Sequence, residues 1–344
     1  MSNMKKYEVA FPSDLNEATN KNILFTGAGF SKTYGGFLVN EVWGRIYNHK
    51  NASEKIKLEL QKDKNYEKIF GNLSEDGKEL LKEILSNIFQ DMDEKIKNKV
   101  KGLQYFISPE KPNLFFDKNK YNFIFTINQD LLVERYFLHQ ANKNKNFMPL
   151  YYPYIDFDIY SQAVSQIYDS DNVLTIQGQD GYSFEKLTKT IKFDKTKEIK
   201  KEKVNYIKLH GSFNWHHSEG WNINVTGSRK PEQIDDTNTL LFGMKCLERV
   251  SNIENLRLYV FGYSFSDQHI NKFLIDSTKK GAKLVIISVE SWAVFKEHFD
   301  AKTPSCFYSA IDKYCQIISP SIDIPRIEHL MEYIIDSTNL NKCY

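Results

Sequence analysis

The sequence predicts an α/β fold, a Rossmann-like, doubly wound and mostly parallel sheet with helical insertions. Two observations carry this expectation. Five short apolar runs, NILFT (22–26), YNFIFTI (121–127), VNYIKLH (204–210), LRLYVFGYS (256–264) and AKLVIIS (282–288), are rich in β-branched or aromatic residues. Near-continuous apolar strands of this kind belong to a parallel sheet covered on both faces. Each run also meets a Gly, Asn, His or Ser, and helical patterns lie between the runs, which is the alternation of a doubly wound sheet.

Taken in order, residues 1–20 form an N-terminal arm and residues 21–290 the main domain. The first strand enters GAGFS and a helix. Residues 48–118 are too long for a simple crossover. Leu80, Leu81, Ile84, Leu85 and Ile88 recur there at three- and four-residue spacing, which predicts a helical insertion packed beside the sheet. The second strand is followed by a second, irregular insertion at about 141–203. It holds YYPYIDFDIY and the charged run IKFDKTKEIKKEK, read as an exposed loop or hairpin. TLLFG (239–243) is a sixth strand candidate. The last stretch, 291–344, mixes helix-like pieces such as EYIIDST with Pro304, Pro320 and Pro325, and is expected to be a helical tail packed on the domain.

The 344 residues allow a sizeable core. With 41% hydrophobic and 26% charged residues the chain reads as globular. A net charge of only +2 gives no footprint for nucleic acid, and the Lys-rich run at 195–203 reads as a solvated loop. The four cysteines form no CxxC pair, so no zinc ribbon is expected. No apolar run approaches bilayer-spanning length, and a cytoplasmic location is expected.

In open α/β sheets a ligand binds outside the carboxyl ends of the strands, so the residues following each strand carry the functional reading. Gly27 and Gly29 permit tight turns without a Cβ in the way, and the next helix can aim N–H groups at an anion. The loop lacks the third glycine of a dinucleotide fingerprint, Lys32 standing in its place, and it does not match a P-loop. After the second strand, Asn128 can hold a water or ribose hydroxyl, and Asp130 adds a carboxylate; helix capping is the alternative for both. His210 ends the third run before Gly211 and can exchange a proton near neutral pH; a histidine satisfied in the core is the alternative. His216 and His217 fall in a polar loop with Trp215 and are read as non-catalytic. Gly262 is followed by Ser264, Asp267 and His269, suited to ribose or phosphate, or to capping the next helix. Glu290 follows the fifth strand.

In this order the segments resemble the sirtuin family, whose pattern is a GAGxS loop, a T-x-N-x-D segment, a His-Gly pair and a glycine-serine loop. This sequence has Gly27-Ala28-Gly29-Phe30-Ser31, Thr126-Ile127-Asn128-Gln129-Asp130, His210-Gly211 and Gly262-Tyr263-Ser264. The spellings LHGSFNW and GYSFSDQHIN look closer still to bacterial sirtuin-like domains of phage-defence systems. The resemblance covers roughly 20–47, 119–140 and 204–290. It implies NAD as the ligand. Gly27, Ala28, Gly29 and Ser31 would hold the pyrophosphate, with Phe30 in the same motif. Asn128 would orient a nucleophile near the nicotinamide ribose, with Thr126 beside it and Asp130 by the nicotinamide pocket. His210 would be the catalytic base. Gly262, Ser264 and Asp267 would meet phosphate or ribose, and Glu290 the adenosine ribose.

Two features of protein-deacylating sirtuins are missing. No four-cysteine zinc module follows the His-Gly pair, and Gly36-Phe37-Leu38-Val39 stands where Pro-Asp-Phe-Arg is expected. The resemblance therefore implies NAD glycohydrolase activity with NAD as substrate, no zinc, and NAD depletion in anti-phage defence. Gating would come from homo-oligomerisation or a separate ATPase or sensor protein, through contact surfaces on insertions that take no part in the NAD site. A deacylase or ADP-ribosyl transferase is the alternative enzyme, and an NAD- or ADP-ribose-sensing module the alternative of another class. Neither nucleic acid nor a membrane is expected as a partner.

Overall fold

The computed structural model describes residues 21–102, 123–135, 150–158, 189–217, 222–299 and 303–316, apart from 195, 201–202, 226 and 228–229. The arm at 1–20 and the EYIIDST segment lie outside the described residues.

Seven strands form an all-parallel sheet. In chain order they are β1 (Asn22–Thr26), β2 (Phe123–Thr126), β3 (Leu150–Tyr151), β6 (Val204–Lys208), β9 (Arg257–Phe261), β10 (Lys283–Ser288) and β11 (Ile311–Gln316). Their spatial order is β11-β10-β9-β1-β2-β6-β3. The chain builds outward from β1 to one side and then returns to lay β9 against its other edge, so β1 and β9 flank the point where the winding reverses. The apolar runs are continuous because both faces are covered. Leu24, Ile124, Tyr259 and Val285 point into one core cluster, whereas Ile23, Phe25, Phe123, Leu258 and Ile286 point into another.

The first face is covered by α1 (Ala28–Thr33), α2 (Val39–Tyr47), α3 (Glu54–Lys62), α4 (Tyr66–Phe70) and the long α5 (Glu75–Gly102). The expected helical insertion is thus present over its described part. Leu81, Ile84, Leu85 and Ile88 of α5 are buried in the first cluster, as their spacing requires. The second face is covered by α7 (Asn238–Ser251) and α8 (Gln268–Lys279). The described residues also include three short helices, α6 (Lys230–Asp235), α9 (Trp292–Glu297) and α10 (Ser305–Ser309).

Four expectations differ from the structure. TLLFG is not a strand; it opens α7, because Leu240, Gly243, Leu247 and Val250 continue as one buried helical stripe. HGSFNW is not a loop: β7 (Gly211–His216) follows β6 directly and buries Phe213 and Trp215, so His216 lies in a strand. The second insertion is more regular than expected. It adds β3 to the main sheet, and β4 (Ile155–Asp158) and β5 (Lys189–Phe193) join β7 and β8 (Asn222–Asn224) in a four-stranded sheet. The run read as an exposed loop or hairpin begins within this β5, where Ile191 is buried, and Ile199 is buried in the stretch at 195–203 read as solvated. The tail is not wholly helical, since β11 pairs in parallel with β10 and closes one sheet edge.

Candidate active site

The carboxyl ends of β1, β2, β6, β9 and β10 open into one cavity of about 540 Å³. Two glycine loops meet at its base. Gly27 N donates to Phe261 O at 2.9 Å and Gly29 N to Gly262 O at 2.8 Å. Gly262 has φ +65°, and a Cβ there would lie 2.1 Å from Phe30 N, so only glycine fits. A Cβ at Gly27 or Gly29 would likewise strike the backbone of Gly262 or Tyr263. The glycines of GAGFS are therefore required by loop-against-loop packing, a reason distinct from leaving room for a ligand.

Asn128 is locked above this junction. Its Nδ2 donates to Gly27 O at 2.9 Å and to Ser31 Oγ at 2.8 Å, and its backbone N donates to Thr126 Oγ1 at 3.0 Å. A carbonyl only accepts, so the amide atom facing Gly27 O is nitrogen and the side-chain orientation is fixed. Both N–H groups are used, and Oδ1 accepts no hydrogen bond among the described residues. The oxygen is the part of this amide left for a ligand.

Ala28, Gly29, Asn128, Asp130, His210, Gly262, Ser264, Asp267 and Glu290 line the cavity together. Gly27, Ser31 and Thr126 do not line it; they hold Asn128 from behind. Phe30 is buried against Tyr34 and Phe261 in the core, so its side chain is a packing element and not a ligand contact. Asp130 also serves its own turn, accepting from Leu132 N at 3.0 Å. Burial raises its carboxyl above the usual range, against the opposing effects of Lys208 and Ser31. Ser264 is exposed and bonds Ser266 at 3.0 Å. Glu290 contacts His298 at 3.1 Å, and Tyr314 of β11 donates to its backbone oxygen at 2.9 Å.

His210 is buried with its Nε2 3.2 Å from His269 Nε2. Burial pushes the His210 imidazole down to about 3, although nearby Asp267 favours the charged form. Both imidazoles are lowered chiefly by burial, so both offer a neutral ring at pH 7. Asp267 stands at the N-cap position of α8 but makes no side-chain cap there. It accepts instead from Lys230 Nζ at 3.0 Å. Burial opposes ionisation of Asp267, but His210 and Lys230 outweigh it and hold the carboxyl below its usual range. Lys230 makes a second ion pair with Glu67 at 2.8 Å. Among the described residues, His210, Asp267 and His269 form a group whose ligating atoms all lie within 4.8 Å of one another.

Several pocket residues had no signal of their own in the sequence. Asp63, Lys64, Asn65, Tyr66 and Glu67, from the α3–α4 connection and the start of α4, form part of the wall. The helical insertion therefore belongs to the site, contrary to the expectation that it serves only as a contact surface. Beneath the β2 loop, Lys208 Nζ bonds Asp130 O and pairs with Glu134 Oε1 at 2.9 Å, with Tyr206 Oη on the other Glu134 oxygen at 3.1 Å. Arg135 pairs with Asp93 of α5 through two nitrogens, both residues buried.

No protein-family model matches the chain, and no curated protein matches it. No helix among the described residues is long and apolar enough to cross a membrane.

Proposed function

We propose that the chain is an NAD glycohydrolase, cleaving the nicotinamide–ribose bond to give nicotinamide and ADP-ribose. The observation that carries this reading is the convergence of Asn128 and His210 on one cavity beside the Ala28-Gly29 turn, from strand ends more than eighty residues apart in sequence. The resemblance of the four motifs to sirtuin-like domains supplies the substrate; the cavity has a volume suited to a small ligand.

In this mechanism the carbon–nitrogen bond breaks with its electron pair leaving on the nicotinamide nitrogen. Water adds to the ribose carbon and gives up a proton. Asn128 Oδ1, fixed by the two bonds of its amide nitrogen, orients that water or an adjacent ribose hydroxyl. His210 is neutral and accepts the proton; the Asp267 carboxylate then stabilises the resulting imidazolium. A base contributes about 10²–10⁴ in rate when its pKa lies near the working pH, so in the substrate-loaded site the Asp267 carboxylate has to raise the imidazole from about 3. Asp130 and Glu290 line the nicotinamide and adenosine ends respectively. No cysteine module takes part. A role in depleting NAD during anti-phage defence, gated by self-association or by a separate ATPase or sensor protein, follows from the same resemblance. The α3–α4 wall gives such a partner a direct route to the pocket.

The test is to incubate the full chain with NAD and follow nicotinamide and ADP-ribose. Wild type is expected to release both, and Asn128→Ala and His210→Ala to lose at least about a hundredfold in rate. An inactive wild type in every assembly state, or variants equal to it, overturns the proposal. Release of nicotinamide only in the presence of an acylated peptide instead identifies a deacylase.

A further inference from the structure

His210, Asp267 and His269 have a geometry that the hydrolytic mechanism does not require. The two imidazoles arrive from different elements, the end of β6 and the first turn of α8, yet each points Nε2 at the other across 3.2 Å. Two nitrogens bound at about 2.0–2.1 Å to one tetrahedral zinc ion lie about 3.3 Å apart. A carboxylate oxygen of Asp267 completes the group within 4.8 Å. Lys230 bonds one of the two Asp267 oxygens, at 3.0 Å, and is itself held by Glu67, so the carboxylate is already oriented by an outer partner, as metal-ligating groups usually are. Five carboxylates and two lysines line the cavity, a charge excess that favours a cation. Two imidazoles with one carboxylate suit zinc-class transition ions and not magnesium or calcium, which prefer oxygen alone.

We propose that His210, Asp267 and His269 form a three-ligand site for a zinc-class divalent ion, with its fourth position open to the cavity. Occupancy consumes the Nε2 lone pair of His210. Where that atom serves as the base of NAD hydrolysis, a consequence that rests on the proposed function, the ion is an inhibitor of the same site.

The experiment uses the full chain stripped with chelator and titrated with Co²⁺ alone, without NAD. One equivalent per chain is expected, with the visible absorption of four-coordinate cobalt and two hyperfine-shifted imidazole resonances in the proton spectrum. His269→Gln and Asp267→Asn are expected to weaken binding by at least about a hundredfold, since even outer-shell partners are worth about 10–100-fold. Their folding is checked by circular dichroism. A His216→Ala/His217→Ala variant controls for the neighbouring histidine pair and is expected to bind as wild type. Absence of saturable binding, binding unchanged in both ligand variants, or binding lost in the His216/His217 control overturns the site. NAD hydrolysis by the stripped protein is measured separately. Activity without cobalt binding sinks the metal site alone; cobalt binding without activity sinks the hydrolase reading alone. With both present, Zn²⁺ is expected to abolish hydrolysis at one equivalent, and full activity of the loaded protein overturns the inhibitory role.

Discussion

Two lysines brace this site, one buried beneath the β2 loop and one half-buried in the cavity wall, and they do so differently. Lys208 sits inside an apolar strand with its side chain 0% exposed, and its partner Glu134 is 2% exposed. It donates to a backbone oxygen of the β2 loop and to one carboxylate, whose other oxygen is held by Tyr206. Lys230 is 15% exposed, lines the cavity, and is shared by two carboxylates from distant segments. The first lysine closes a network away from solvent, in which both oxygens of Glu134 are bonded. The second leaves one negative charge in excess, facing open space. A charge cluster that is satisfied away from solvent serves the scaffold, and one left unbalanced at a cavity is available to a ligand.

The contrast is broken most directly at Lys208. Lys208→Met removes the cation and leaves Glu134 buried, a change expected to cost about 3–5 kcal/mol in urea unfolding. Adding Glu134→Leu restores most of that loss, because the apolar replacement of a buried pair is close to neutral. A single variant as stable as wild type means that Glu134 finds another partner or takes up a proton, and the network is then not closed.

The next effect is at the junction of the two glycine loops at the base of the cavity. Gly262→Ala forces a side chain onto φ +65° and 2.1 Å from Phe30 N. The backbone conformation alone is worth about 1–3 kcal/mol, and the clash adds to it. The urea midpoint is expected to fall, with local hydrogen-exchange protection lost at Gly29 and Phe30. Unchanged protection there shows that the two glycine loops are not packed as a unit.

A pH titration separates the two regions without changing the scaffold. His210 has a folded pKa of about 3, lowered mainly by burial from 6.5. The unfolded chain therefore binds this proton first as pH falls. Stability from this group is complete above about pH 6.5 and is lost progressively toward pH 3, at up to about 1.4 kcal/mol per pH unit. In chelator, His210→Gln is expected to flatten that part of the acid limb, and Lys208→Met to recover stability as pH falls, because Glu134 without its cation takes up a proton in the folded chain first. Parallel curves for wild type and His210→Gln mean that the imidazole is already solvated.

How much of this was legible in the sequence follows from where each signal resides. The five short apolar runs are buried on both faces, so composition alone marks them as strands of a parallel sheet. β11 was missed because an edge strand is covered unevenly: of Ile311–Gln316 only Lys313 is buried. β7 was missed although Phe213 and Trp215 alternate with Ser212 and Asn214, a period-two signal hidden behind the polar His-Gly turn. The pocket residues at strand ends are visible because sheet topology gathers them. Glu67 and Lys230 carry no such mark, since their meeting depends on how the insertion folds over the sheet. Lys208 did leave a trace, a cation within an apolar run, which has to find a buried partner.

The smallest expected change in stability is the sharpest test of the comparison. Lys230→Met removes a cation whose two partners face the open cavity, so the loss is expected to stay well below the about 3–5 kcal/mol of the enclosed Lys208 pair. Its effect is expected at the cavity instead. With the outer partner of Asp267 gone, affinity for Co²⁺ at His210, Asp267 and His269 is expected to fall by about 10–100-fold. Lys208→Met is expected to leave cobalt affinity unchanged under conditions where it is folded. If Lys230→Met instead destabilises as strongly as Lys208→Met, then Lys230 is a second structural lysine, and the excess carboxylate at the cavity is held by the scaffold and not kept for a ligand.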